Sequence, residues 1–308
     1  MVSKTMSEVP LHDLVIRTIA EWLVGDNNIL INLQRVNKRF YGLRDIFIKQ
    51  ITLDFDQSEY AYKHEPYGWN KVDYFHLSHT TVSDVSALGH VHTVKITSCE
   101  NIIDVSPLRN VHTLLLICCL GIRDVSSLGH VRVLEIHDCR NITDVSALRH
   151  VRFLTIADCF GINDFSPLGD VHSLTLAYDQ NLHEITFLQK VHTLTLSHCH
   201  NIRDLSPLRA VHTLTLQQCH GISDVSPLKT VRNLTLCELT VHDIASLGKV
   251  HTLTLERCHK IRDVSALSSV HSLTIRNCHG IRDISALMDI PHLSIEDCPN
   301  IRDLRIDI

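Results

Sequence analysis

An aspartate recurs every twenty residues along most of this chain, and that spacing limits what the chain can fold into more than any other feature. Asp84, Asp104, Asp124, Asp144 and Asp164 are followed in phase by Glu184, Asp204 and Asp224. One residue is lost before Asp243, and Asp263, Asp283 and Asp303 then resume the spacing. The unit reads D-V-S-x-L-x-x-V-H/R-x-L-x-L-x-x-C-x-N/G-I-x, as in DLSPLRAVHTLTLQQCHGIS from Asp204 to Ser223. A short exact period means a solenoid, in which each unit contacts its neighbours along one axis. The alternation at Thr213–Gln217 calls for a strand with Leu214 and Leu216 inward and Thr213, Thr215 and Gln217 outward. Six or so inward aliphatics cannot by themselves offset the entropy of ordering twenty residues, so the units must stack to be stable.

The rest of the unit reads as turn, short helical turn and return. Asn101, Gly121, Asn141, Gly161 and Gly221 are expected in left-handed turns, which Asn and Gly tolerate best. Ser-Pro pairs such as Ser106–Pro107 and Ser206–Pro207 read as an N-cap followed by the first residue of a 3₁₀-like segment. Twenty residues leave no room for a full outer α-helix. Counting back to Val72-x-x-Phe75-x-Leu77, the sequence predicts twelve strands, from the one around Phe75 to the one around Leu293.

The string V-x-x-L-x-L-x-x-C-x-x-I is the leucine-rich-repeat pattern. The D-I/V-S-P/A-L segment resembles the short repeats of internalin-like leucine-rich proteins, and the cysteine column resembles the repeats of F-box receptors. This resemblance covers residues 72–308 and implies a horseshoe or arc with a parallel concave sheet and short 3₁₀ segments on the convex side. It leaves the ligand open.

Composition divides the chain. Eleven of its sixteen aromatic residues precede residue 84, whereas all eleven cysteines follow it. In residues 9–43, Leu11, Leu14, Ile19, Trp22 and Leu23 form one helical apolar face, broken at Gly25-Asp26-Asn27-Asn28. Leu30, Leu33, Val36, Phe40 and Leu43 form a second. One reading is a helical cap on the open end of the solenoid. The other starts from Pro10, Leu14, Ile19, Leu23, Leu33 and the run Val36-Asn37-Lys38-Arg39-Phe40-Tyr41-Gly42-Leu43, which together resemble an F-box. That resemblance implies a three-helix module docking on the Skp-type adaptor of a cullin–RING ubiquitin ligase, with Pro10, Leu14, Ile19, Leu23, Leu33, Val36 and Phe40 making or supporting the contact. The expected organisation is therefore an α/β solenoid: residues 1–50 as the F-box-like helical module, 51–71 as an aromatic-rich junction or solenoid cap, and 72–308 as about twelve leucine-rich units.

A net charge of −5 argues against nucleic acid, which selects a basic face. The start MVSKTMSEVP lacks the apolar run of a secretory signal, and the longest apolar run, Leu114–Leu120, is far below the roughly 20 residues that span a bilayer. Eleven cysteines without an export signal suit a reducing compartment. The expected location is the cytoplasm or nucleus of a eukaryotic cell, native or infected host, with no membrane partner.

Three columns could carry chemistry. The cysteines at 99, 119, 139, 159, 199, 219, 258, 278 and 298 stand one per unit and read as a buried ladder, whereas zinc needs four ligands around one point. Cys118 and Cys237 fall off the column and are expected to be more exposed. His92, His112, His172, His192, His212, His251 and His271 share one position before the strand, with Arg132, Arg152 and Arg232 filling gaps. These planar groups should stack about 5 Å apart at the rim, and a pH-responsive edge is one reading of them. Catalytic groups need a unique pocket, and every Ser-His-Asp set here is periodic, so no catalytic residue, cofactor or metal is expected.

Binding should fall where the repeat breaks its own pattern. Most strands expose Thr or Ser, but three consecutive ones expose Leu115 and Ile117, then Val133, Glu135 and His137, then Phe153 and Ala157. Asp138, Asp158 and Tyr178 stand just beyond the strand ends. The expected client site is thus an apolar patch with an acidic, aromatic rim. Glu256, Arg257, Arg276, Glu296 and Asp297 read as a solvated charged face.

Overall fold

The computed structural model describes residues 50–54, 73–179 and 181–301. The segment 9–43, with Pro10, Leu14, Ile19, Leu23, Leu33, Val36 and Phe40, lies outside the described residues. So does most of the 51–71 junction.

Each repeat of the sequence becomes one five-residue strand, and all strands pair in parallel, in chain order, in a single sheet. Thirteen strands are described, from β1 (Gln50–Asp54) through β2 (Tyr74–Ser78) to β13 (His292–Glu296). The expected count was twelve. The addition is β1, which pairs residue for residue with β2, Ile51 opposite Phe75 and Leu53 opposite Leu77. Its QITLD carries the strand alternation without the aspartate or cysteine that marks the later copies, so the period alone does not find it. The register never slips, because a shift of one residue would carry the leucine pair from the core to the open face.

The period-2 leucines and the loop aliphatics meet inside. In the copy from Val211 to Leu228, Val211, Leu214, Leu216, Cys219, Ile222, Val225 and Leu228 are all buried, and the same seven positions build one continuous core through neighbouring copies. The return path on the convex side is 3₁₀ throughout, for example Ser106–Asn110 and Ser206–Ala210. Among the described residues there is no α-helix.

Two local expectations are corrected. The serine of each D-x-S is not the cap. It is the first 3₁₀ residue, and its backbone N–H donates to the aspartate two residues earlier, Ser106 to Asp104 Oδ1 at 2.8 Å and Ser206 to Asp204 Oδ1 at 2.8 Å. This is an Asx turn, the local bond that a short acidic side chain makes most readily. The aspartate period is therefore a period of turn starts. Hydrogen bonds from the serine hydroxyl and backbone hold the Asp204 carboxyl below the usual carboxylate range.

The left-handed residue is also not the Asn or Gly. It is the residue directly before the cysteine position, at φ between 50° and 58° in twelve successive copies. There the N–H continues the ladder by one bond into the next copy, as from Cys118 N–H to His137 O at 2.9 Å and from Asp138 N–H to Ala157 O at 2.9 Å. The glycines answer to proximity instead. A Cβ on Gly221 would stand 2.2 Å from His200 O and 2.8 Å from Ile202 O. Where the position is Asn, its side chain bonds that same neighbouring backbone, as Asn141 Nδ2 donates to Leu120 O at 2.6 Å.

The cysteine ladder forms as expected. From Cys119 onward each column thiol sits between a carbonyl of its own copy and one of the preceding copy: Cys139 Sγ is 3.4 Å from His137 O and 3.7 Å from Leu116 O. All described cysteines are free thiols. Burial pushes Cys159 up to about 11 and Cys278 up to about 12, so these sulfurs remain protonated at neutral pH.

Candidate functional site on the concave sheet

On each strand the first, third and fifth residues face away from the core. Parallel, unshifted pairing turns them into three straight rows across the sheet, with neighbours about 4.8 Å apart. On β4 (Thr113–Ile117), β5 (Val133–His137), β6 (Phe153–Ala157) and β7 (Ser173–Ala177), the first row runs Thr113, Val133, Phe153, Ser173. The third-position row runs Leu115, Glu135, Thr155, Thr175, and the fifth runs Ile117, His137, Ala157, Ala177. The ten residues picked from sequence therefore fall on four successive copies.

Their texture differs from a plain apolar patch. Phe153 remains 37% exposed. Its ring meets the edge of His172 at 6.4 Å, and the Arg152 guanidinium lies 5.6 Å from the ring centre. Leu115, Ile117 and Val133 are half-buried, which leaves part of each for a partner. On β5, beside Val133, His137 Nε2 lies 3.5 Å from Glu135 Oε2. Ala157 is a correction, since neighbouring side chains cover it. Cys237 is another. On β10 (Asn233–Cys237) it occupies the fifth, outward position yet is buried, and its thiol is pushed up to about 11, chiefly by desolvation. Cys118 is half-buried in the left-handed position after β4, not on the strand.

The left-handed residues set the rim. Because each follows its strand at positive φ, their side chains form a fourth row that includes Asp138, Asp158 and Tyr178. Asp138 accepts from Arg140 Nε at 2.6 Å and from Cys118 Sγ at 3.5 Å. Tyr178, 45% exposed, stacks on His198 with ring centres 4.0 Å apart, and His198 Nδ1 is hydrogen-bonded to Ser197 Oγ at 2.8 Å. Next to Tyr178, Asp179 stands buried in the cysteine position, and its carboxyl accepts the Asn181 N–H at 2.7 Å. Burial raises the Asp179 carboxyl above its ordinary range. Phe187 packs against the core from the convex side.

Beside this patch, two exposed apolar residues, Leu120 and Phe160, were not picked from sequence, nor were Ile103 and Met288 elsewhere. Leu120 and Phe160 follow the cysteine in their copies and extend the rim outward, with Phe160 5.7 Å from the Arg140 guanidinium. Their signal was present, because that column is charged or histidine in most other copies, at Glu100, Arg140, His200, His220, His259 and His279. The charged face near the C-terminal strands is satisfied within itself, by Arg257 to Glu238 at 2.9 Å and Arg276 to Glu296 at 3.0 Å.

The histidine column stacks as expected. Ring centres are 4.4 Å apart for His92–His112, 4.9 Å for His172–His192, 4.6 Å for His192–His212 and 4.7 Å for His251–His271. Among the described residues, no group of three or more His, Cys, Asp or Glu side chains converges as metal ligands, and no helix is long and apolar enough to cross a membrane.

In-register parallel strands, 3₁₀ returns and a through-going aliphatic and cysteine core define a leucine-rich-repeat solenoid. No family model matches the chain, and no curated protein is detectably similar to it. Among solved structures it is similar to the internalin InlF of Listeria monocytogenes, at 21% identity over 81% of this chain and 86% of that one, with a TM-score of 0.46. The functional domain of InlJ from the same organism, described as including a cysteine ladder, is 20% identical over 74% of this chain and 54% of that one, with a TM-score of 0.45. The leucine-rich-repeat domain of the type III effector XopL aligns over 97% of this chain and 99% of its own, at 12% identity and a TM-score of 0.37.

Proposed function

We propose that this chain is a non-enzymatic protein-interaction scaffold, binding a segment of a client protein on the concave face at β4–β6 and the adjoining rim. The observation that carries the reading is the exposed Phe153 ring, set in three consecutive strands where the Thr and Ser rows give way to larger apolar and charged side chains. An exposed aromatic flanked by half-buried aliphatics and rimmed by Asp138, Asp158 and Tyr178 has the composition of an interface hot spot. The test is recovery of the client by full-length protein carrying Phe153→Ala and Tyr178→Ala. Loss of recovery is expected, and unchanged recovery refutes the site.

The finer reading is an F-box substrate receptor that presents this client to a Skp–cullin–RING ligase. Its support is the Val36–Leu43 run with Pro10, Leu14, Ile19, Leu23 and Leu33, placed ahead of a leucine-rich solenoid. The alternative is a stand-alone scaffold whose N-terminal segment caps the core. Full-length protein titrated with a purified Skp-type adaptor separates the two. Saturable binding abolished by Phe40→Asp supports the receptor, whereas no binding by folded protein leaves the scaffold.

A further inference from the structure

The edge of the sheet where the strands begin carries an unbroken run of arginine and histidine side chains. Over six successive copies the position before the strand is Arg132, Arg152, His172, His192, His212 and Arg232, each exposed or half-buried. The three central imidazoles stack at 4.9 and 4.6 Å with interplanar angles near 20° (22° and 21°). Nδ1 of His192 and of His212 is hydrogen-bonded to the threonine hydroxyl that follows it, at 3.3 and 3.2 Å. These bonds occupy Nδ1 on both rings, so Nε2 is the nitrogen that a partner would meet there.

The surroundings of the run are cationic or neutral. Behind it, on the 3₁₀ side, stand Arg149, Arg209, Lys229 and Lys190, with Arg149 Nε donating to His150 Nε2 at 3.0 Å. The one acid in that band over these copies is Asp170, and Lys190 already holds it at 3.6 Å. In front, the first strand residues are Val133, Phe153, Ser173, Thr193, Thr213 and Asn233, with no carboxylate among them. The nearest acid on the open face is Glu135, paired with His137. Carboxylates gather on the opposite rim, at Asp138, Asp158 and Glu238.

We propose that this edge is a binding site for an extended acidic peptide segment of a protein partner, and that its affinity rises as pH falls below neutrality. Six rungs about 4.8 Å apart span about 24 Å, along which an extended strand presents a side chain to one face every ~6.7 Å. About four carboxylates therefore meet six rungs, and each can bridge two. Three arginines supply permanent charge, and imidazole is the side-chain class that changes charge on the acidic side of neutrality. Stacked rings beside Arg152 and Arg232 repel one another once protonated, and a bound carboxylate relieves that repulsion, so binding takes up protons. Three fixed charges over this length is far sparser than the charge density of a nucleic acid, one per ~1.7 Å of duplex axis. That sparseness favours a peptide. The edge adjoins the Phe153 patch, because Arg152 and His172 both contact that ring, and the peptide probe reads the edge without the client.

The test is fluorescence anisotropy of a labelled Glu-Ser repeat peptide of about ten residues, titrated with full-length protein at about pH 6 and about pH 7.5, beside an oligouridylate of equal length. Saturable peptide binding is expected, about tenfold tighter at the lower pH, from three added exposed charge pairs. The double variant Arg152→Gln/Arg232→Gln should weaken binding at both pH values. The triple variant His172→Gln/His192→Gln/His212→Gln should keep the affinity seen at the higher pH and lose the dependence. All five positions are exposed or half-buried and interchange His with Arg between copies, so the variants are expected to fold, which far-UV circular dichroism checks. Absence of saturable binding at the lower pH, pH dependence that survives in the triple variant, or tighter binding of the oligouridylate would each overturn the proposal.

Discussion

Replacing Cys139 tests what the sulfur ladder contributes. The side chain is fully buried, and its Sγ lies 3.4 and 3.7 Å from two carbonyls. Truncation to alanine removes about 1 kcal/mol of transfer free energy and adds about 0.5 kcal/mol for the small cavity left between fixed repeats. Cys139→Ala should therefore cost about 1.5 kcal/mol. Serine is the informative partner, because its hydroxyl is a stronger donor on a shorter bond. Both carbonyls would then lie farther than a hydroxyl bonds well, and a poorly partnered buried hydroxyl costs about 1–3 kcal/mol. If the sulfur acts chiefly as a small apolar filler, Cys139→Ser is no more stable than Cys139→Ala. Urea unfolding followed by circular dichroism gives both values from the midpoint and slope. A serine variant as stable as wild type would refute the filler account and make the column a row of hydrogen-bond donors. An alanine cost within the roughly 0.5 kcal/mol typical of surface changes would refute the packing account altogether.

Gly221→Ala should destabilise by about 1–3 kcal/mol, since its Cβ would lie 2.2 Å from the backbone oxygen of His200 and only separation of two copies relieves the overlap; an unchanged urea midpoint would contradict this. Two groups of side chains set the acid limb of stability. Bonds from Ser206 and its equivalents lower the Asp204-type carboxyls in the folded state, so their contribution is complete above the ordinary carboxylate range and is lost as pH falls through the folded values. Desolvation, with His92 and Arg132 nearby, lowers His112 as well, so the folded state resists its protonation and stability declines as pH drops below the ordinary imidazole value. His112→Gln should flatten the curve between about pH 7 and 5 and leave the steeper loss below about pH 4 intact, as read by thermal unfolding against pH.

The period, the inward leucines, the buried cysteines and the stacked histidines were all legible in the sequence, because each is a one-dimensional pattern. Repetition places equivalent residues at equivalent positions, and stacking then brings His192 against its counterparts at 172 and 212 without any long-range knowledge. The Phe153 patch was legible for the same reason, as a departure from the pattern. Only the tertiary structure decided which residue bends the chain. Side-chain preference pointed to Asn and Gly, whereas the left-handed turn falls on Asp138, Tyr178 and their equivalents, where a further backbone bond to the next copy offsets the strain. Glycine at 221 answers to the carbonyls of the neighbouring copy, a contact no local rule contains. The burial of Cys237 and the strand at Gln50–Asp54 also depend on what lies one copy away. Local chemistry along the chain is enough to write the repeat unit. The distance between one unit and the next, about 4.8 Å, is set by the backbone hydrogen bonds of the sheet and determines which side chains meet their counterparts.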